Sequence, residues 1–328
     1  MANRDIPVER NRRTRTSRHH RLRLASGMLA LAVTLLLAAC SGSRSGPAPA
    51  PTPRGPYVAL GDSYTSGLGI PDQVGTPAGC DRSSRSYPAL VAHYLKLGAG
   101  LVHDASCSGA TTADLTAPQN TESGTNPAQL SALTAETALV TVGIGGNDLD
   151  FAGVLTRCVA LDVTDTLIDS LLHTADAGAP CRAYYTGGGT DRIQQRIRGV
   201  STQLAAALTR IRQLAPRARV YIVGYPDLLP AADGGACARI LGVTAGDVGY
   251  LNGEEVQLNS MLDQQAKAAG DTYVGTYALS LGHDACSDPA TRWIEPLIPD
   301  ADAAPMHPNA AGQQGIADAV EQAITAGG

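Results

Sequence analysis

Residues 57–69, YVALGDSYTSGLG, decide how the rest of the chain is read. Tyr57 to Leu60 form an apolar run that stops at Gly61, and Ser63 follows between Asp62 and Tyr64, with further glycines at 67 and 69. A strand that ends in a glycine-rich turn is how α/β proteins present a reactive group at the carboxyl edge of a parallel sheet. Ser63 therefore reads as a nucleophile, with an ordinary turn serine as the alternative.

Four further apolar segments read as strands: LVHDAS (101–106), ALVTVGIG (138–145), ARVYIVGY (218–225) and DTYVGTY (271–277). Between them lie helical patterns at 87–98, 191–215 and 249–270, and a last helix starts near Pro308. Strands that are apolar without clean alternation, separated by amphipathic helices, imply a parallel sheet covered on both faces. The fold class is α/β, a three-layer α/β/α sandwich with about five parallel strands. Residues 150–190 carry weaker patterning around Cys158 and Cys181 and read as a disulfide-tied excursion.

The first 39 residues stand apart. Eight arginines from Arg4 to Arg23 precede the apolar LASGMLALAVTLLLAA, and LAAC ends at Cys40. The apolar run is short and one flank strongly basic, which marks an export signal rather than a membrane span. Its ending looks like a lipobox, so Cys40 is expected to be lipidated and to hold the protein on the membrane. The following SGSRSGPAPAPTPRGP is a tether that cannot bury a core. The expected organisation is residues 1–39 signal, 40–55 lipidated cysteine and tether, and 56–328 catalytic domain.

Loss of residues 1–39 removes eight arginines, Asp5 and Glu9, leaving 17 basic against 28 acidic side chains, a formal −11 in place of −5. An acidic protein without a basic stripe is not expected to bind nucleic acid. GIGGND and TGGGTD lack both the G-x-G-x-x-G spacing and a P-loop lysine, so neither is read as a nucleotide cradle. Besides Cys40 there are six cysteines, at 80, 107, 158, 181, 237 and 286. In an exported chain they favour disulfides, in fifteen possible connectivities, and no C-x-x-C pair suggests zinc. Sequential pairing would close three loops, each contributing about 3 to 4 kcal/mol in the chain-entropy account.

Chemistry gathers at the strand ends. Ser63 follows the first strand, Gly109 in CSGATT the second and Asn147 in GGND the third. A nucleophile, a flexible backbone N–H and a side-chain amide on one sheet edge are the equipment of an oxyanion hole. His307 in MHPNAAGQQG stands just before a helix, where it can reach back over that edge as general base. Asp62 reads as a hydrogen-bond acceptor for the turn, Asn147 also as a candidate helix cap, and His283 as a structural or rim residue.

With GDSY, CSGATT, GGND and MHPN in this order, the chain resembles the SGNH hydrolases, also called GDSL esterases and lipases, over nearly all of residues 57–328. It is most similar to the secreted actinobacterial branch with three disulfides. The resemblance implies a flavodoxin-like SGNH hydrolase fold, Ser63 as nucleophile, His307 as base, and an oxyanion hole made of the Ser63 and Gly109 N–H groups and the Asn147 amide. It also implies the pairs Cys80–Cys107, Cys158–Cys181 and Cys237–Cys286, and neither metal nor organic cofactor. The lipase elbow G-x-S-x-G is absent, since Thr65 stands at its second glycine. The family's D-x-x-H is broken as well, because Ala304 occupies the position of the acid. The backbone carbonyl of Ala304 is expected to orient His307, with Asp302 as the rival. The expected activity is serine ester hydrolysis of lipid or small-molecule acyl esters by an extracytoplasmic monomer. The alternatives are a carbohydrate acetylesterase or thioesterase/lysophospholipase with the same site, or a non-catalytic surface binding lipoprotein. The acyl groove is expected from loops 65–86 and 149–192.

Overall fold

The computed structural model describes residues 52–172, 178–231 and 234–327. The expected signal and Cys40 lie outside these residues. Five parallel strands form the sheet: β1 (Tyr57–Gly61), β2 (Val102–Asp104), β3 (Leu139–Gly143), β4 (Arg219–Val223) and β5 (Thr272–Val274), in the order β2-β1-β3-β4-β5. The chain runs outward in one direction from β1 to β2 and in the other from β3 to β5, so the order reverses beside β1. In open α/β sheets, ligands bind outside the carboxyl ends of strands at such a switch point.

All five residues of β1 and of β3 are buried, which is why these strands read as continuous apolar runs. Alternate residues serve opposite faces. Tyr57, Ala59, Leu139, Tyr221, Val223 and Val274 pack with α1 (Tyr87–Tyr94) and α7 (Ala310–Ala326). Val58, Leu60, Val140, Val142, Val220 and Ile222 belong to the other core. That core also takes in α2 (Phe151–Leu172), α3 (Pro180–Thr186), α4 (Arg192–Leu214), α5 (Gly234–Leu241) and α6 (Ala245–Ala269). On α4 the buried residues Ile193, Ile197, Val200, Leu204, Leu208 and Ile211 recur every three or four positions, as a helix with one apolar face requires.

The stretch 150–190 departs from the sequence reading: it holds the 22-residue helix α2 and the short α3. Disulfides join Cys80 to Cys107, Cys158 to Cys181 and Cys237 to Cys286. The second links α2 to α3, and the Asp247 carboxylate of α6 accepts the Cys181 and Arg182 N–H groups at 2.8 Å each, fastening α3 to α6. Among the described residues no helix is long and apolar enough to cross a membrane.

Candidate active site

Ser63 opens the single helical turn Ser63–Ser66 that follows β1. Asp62 caps this turn, its Oδ1 accepting the Tyr64 N–H at 2.9 Å, while the Asp62 N–H donates to Gly143 O of β3 at 3.0 Å. The Gln129 amide clamps the last peptide of the strand, accepting from Gly61 N at 2.8 Å and donating to Gly61 O at 2.9 Å. The serine thus leaves the sheet from a fixed backbone, and its side chain is largely buried.

His307 reaches this serine from the far end of the chain, with Nε2 at 2.8 Å from Ser63 Oγ. Its loop is fixed on both sides. Asn309 caps α7 by accepting the Gly312 N–H, and its amide donates to Arg292 O at 3.0 Å and Glu295 Oε1 at 2.8 Å. On the other side the Tyr64 hydroxyl donates to Met306 O at 2.5 Å, with its ring centroid 4.9 Å from the imidazole. His307 Nδ1 stands 2.7 Å from Pro305 O, so with the proton on Nδ1 that carbonyl is the acceptor and Nε2 is free to act as base toward Ser63.

The orienting carbonyl is therefore that of Pro305, which corrects the expectation of Ala304. Residues 304–307 close a turn in which the His307 N–H donates to Ala304 O at 3.1 Å, with Met306 at φ +59°. The turn consumes the Ala304 carbonyl and leaves the next one for the ring. Asp302 is exposed and makes no hydrogen bond to His307. Burial holds the His307 pKa below its ordinary value, and the Pro305 carbonyl opposes that shift in part.

Three donors face the question of an oxyanion. Ser63 supplies the first N–H of a helical turn, a position without an intrahelical acceptor. Gly109 lies at φ +75°, a conformation glycine takes without strain. Among the described residues neither N–H meets an acceptor. Asn147 Nδ2 donates one hydrogen to Ala110 O at 2.9 Å, which fixes the amide and leaves its second N–H. Asn147 does not cap α2, whose first residue is Phe151. Thr112 ties the two loops together, donating from N and Oγ1 to Asp148.

Ser63 and His307 line a cavity of about 270 Å³. Its other walls are mostly apolar: Leu149 just before α2, Phe151, Val154 and Leu155 at its start, Leu251 and Leu258 of α6, with Leu228, Leu297 and Met306. Of the expected loops, 149–192 contributes through residues 149–156, but no residue of 65–86 lines the cavity, so that loop does not build the groove. Three carboxyls, Asp62, Glu254 and Glu255, also line it. Burial, with help from Asp227 and Asp284 and opposed by the Leu228 N–H, pushes the Glu255 pKa well above the ordinary range. His283 lies elsewhere, stacked on Trp293 at 5.0 Å with Nδ1 on Thr291 O. Among the described residues no cluster of side chains could hold a metal ion.

Sequence reasoning missed Tyr225. Its hydroxyl donates to Asp62 Oδ2 at 2.5 Å and accepts the Gly146 N–H at 2.8 Å. It stands just beyond β4, at the same sheet edge that pointed to Ser63, Gly109 and Asn147, and the rule that found those applies to it equally.

Residues 59–314 match the model of the GDSL-like Lipase/Acylhydrolase family. A lipase of Streptomyces coelicolor, Lipase 2, is 38% identical over 263 residues, covering 80% of this chain and 83% of that protein. Among solved structures, phospholipase A1 from Streptomyces albidoflavus is similar with a TM-score of 0.65 and 29% identity, over 82% of this chain and 99% of that one. The extracellular lipase of Streptomyces rimosus gives 0.64 and 27%, over 82% and 99%.

Proposed function

The chain belongs to the GDSL-like lipase/acylhydrolase family and is a carboxylic ester hydrolase, and from that premise we propose that Ser63 is its nucleophile and His307 its general base. Nε2 takes the Ser63 proton as Oγ attacks the ester carbonyl. The resulting oxyanion is held by the N–H groups of Ser63 and Gly109 and the Asn147 amide, donors aimed at charge that develops in the transition state. The imidazolium gives its proton to the departing alcohol, and the acyl group stays on Oγ. Water then repeats the sequence through the same histidine and frees the acid.

The acyl chain occupies the apolar cavity beside Ser63, the observation that carries a lipid-type substrate over an acetylated sugar. At about 270 Å³ the cavity lies just under the roughly 300–1,000 Å³ of sites for drug-sized ligands, so short and medium acyl chains fit best. The names of the relatives, lipase and phospholipase A1, support an acyl ester of a lipid. The test is hydrolysis of p-nitrophenyl esters from two to sixteen carbons together with fluorophosphonate labelling. Ser63→Ala and His307→Ala are expected to abolish turnover, and only Ser63→Ala should remove the labelled residue. Turnover by Ser63→Ala equal to the wild type would refute the reading.

Three disulfides belong to an oxidising, extracytoplasmic compartment. Within it, lipidation of Cys40 would hold the catalytic domain, residues 56–328, at the membrane through the tether 40–55. Labelled palmitate should enter the wild type, and Cys40→Ser should lose the label and appear in the medium.

A further inference from the structure

We propose that Tyr225 is a positioning residue for the ester hydrolysis, its hydroxyl pinning the turn that carries Ser63 to the turn that carries Asn147. The inference rests on the roles proposed for those two residues. The tie is a continuous chain of hydrogen bonds. The Gly146 N–H donates to Tyr225 Oη at 2.8 Å, the hydroxyl donates to Asp62 Oδ2 at 2.5 Å, and Asp62 Oδ1 accepts the Tyr64 N–H at 2.9 Å. Gly146 is the residue before Asn147, and Asp62 and Tyr64 flank Ser63. Both ends of the tie are thus one bond from the proposed machinery, and all of its polar atoms are satisfied within the protein.

The tyrosine is itself immobile. It is buried, its N–H donates to Asn259 Oδ1 at 2.8 Å and its carbonyl accepts from Asn259 Nδ2 at 3.0 Å. Its ring meets Tyr64 edge to face at 5.1 Å, and Tyr64 in turn holds the histidine loop through Met306 O. A methyl group placed on Gly146 would lie 3.2 Å from the Tyr225 hydroxyl, so the two strands' ends approach as closely as a glycine allows. A hydroxyl that fixes two turns to each other sets the separation of nucleophile and oxyanion donor, and misplacement by about 1 Å can cost roughly 10²-fold in rate.

The tie also makes the site sensitive to the charge on Asp62. Burial, opposed by the bonds from Tyr225 and the Tyr64 N–H, sets the Asp62 carboxyl at about 7, with Asp148 adding a smaller upward push. The titratable groups facing it are Tyr225 beyond β4, Asp148 beyond β3, Tyr87 of α1 and Tyr64 of its own turn. Protonation of Asp62 weakens its hold on both donors at a pH where His307, held below its ordinary value, is still a free base.

The experiment measures kcat, KM and the acid limb of the pH profile on p-nitrophenyl butyrate for wild type, Tyr225→Phe and Asp62→Asn, each rate referred to serine titrated by a fluorophosphonate. Tyr225→Phe is expected to lower kcat by roughly 10- to 100-fold, less than the 10²–10³ of a lost oxyanion donor, with KM changed less than about twofold. Its acid limb should move above that of the wild type, because a donor to the carboxylate is gone. Asp62→Asn should move the limb down to that of His307. If the phenylalanine variant does not fold, Asp62→Asn decides alone: a lowered limb supports the tie, an unchanged one overturns it. Wild type labelled at Ser63, with Tyr225→Phe equal to it in kcat and pH profile, overturns the role of Tyr225 only. Wild type that takes no label at Ser63 overturns the serine reading and this one with it.

Discussion

His307 is oriented by the chain immediately before it, without a carboxylate. The Pro305 carbonyl fixes ring and tautomer at 2.7 Å but supplies no negative charge to the imidazolium formed during reaction. That charge stabilisation has to come from elsewhere or be done without, and the exposed Asp302 is not its source. Asp302→Ala should keep kcat/KM within about twofold, a change of roughly 0.4 kcal/mol; a loss beyond tenfold would restore the triad. The loop's position is far more sensitive. Gly69 lies at φ +82°, and a Cβ there would stand 2.6 Å from Ala304 N, whose N–H donates to Leu68 O at 3.1 Å. Gly69→Ala pushes the histidine loop away and imposes a strained backbone, so kcat should fall at least tenfold with a lowered Tm, and unchanged kinetics would show the loop to be soft. Ala304 in the broken D-x-x-H pattern showed that the acid was missing, and a carbonyl in its place was what the resemblance to the actinobacterial branch implied. The right carbonyl was not legible, because whether Ala304 O is spent on the His307 N–H depends on a turn with Met306 at positive φ, and no local residue signals it.

At the level of elements, the sheet was legible because its central strands β1, β3 and β4 are almost wholly buried and read as apolar runs, with β1 matching its segment and the other four strands shorter than theirs. Helix α4 was legible for the complementary reason, one apolar face against solvent. Helix α2 was not. Its residues serve three environments: Val154 and Leu155 are buried beside the cavity, Cys158 is locked to α3, and Val163 stands exposed. A helix divided among core, cavity and solvent carries little periodicity at 3.6 residues, and its pattern fades into that of a loop. The link from Cys158 to Cys181, 23 residues apart, holds this wall to α3 and through Asp247 to α6, which forms the opposite side of the cavity. Replacing both cysteines by serine should cost about 3 kcal/mol, or roughly 6 to 12 °C in Tm. A loosened wall should raise KM for octanoyl esters more than for acetyl esters. Equal changes in KM for the two would mean that α2 does not line the acyl path.

Across the whole molecule, buried acids set a conflict between stability and activity. Burial raises Asp62, Asp227 and Glu254 each to about 7, and lifts Glu255, Asp104 and Asp148 as well. In the unfolded chain such groups ionise near pH 4. Between about pH 4 and 7 the folded protein therefore holds protons that the unfolded chain has released, and stability falls as pH rises through that window. Two groups act the other way. His307 is lowered by burial, so its contribution is lost as pH falls; burial raises Glu295 too, but bonds from Asn309, Asp300 N and Ala301 N outweigh it and leave its pKa lowered. The raised acids outnumber these, and the growing negative charge of an already acidic chain adds self-repulsion in the same direction. Denaturant unfolding should give a larger free energy at pH 5 than at pH 8, by an amount on the order of a few kcal/mol, while turnover rises over the same interval as His307 and then Asp62 lose their protons. Asp62→Asn should narrow the stability difference by removing one such group and, unlike a surface change, should also move the acid limb of activity to lower pH. Stability that is flat or rising from pH 5 to 8 would mean that the buried carboxyls remain ionised in the fold.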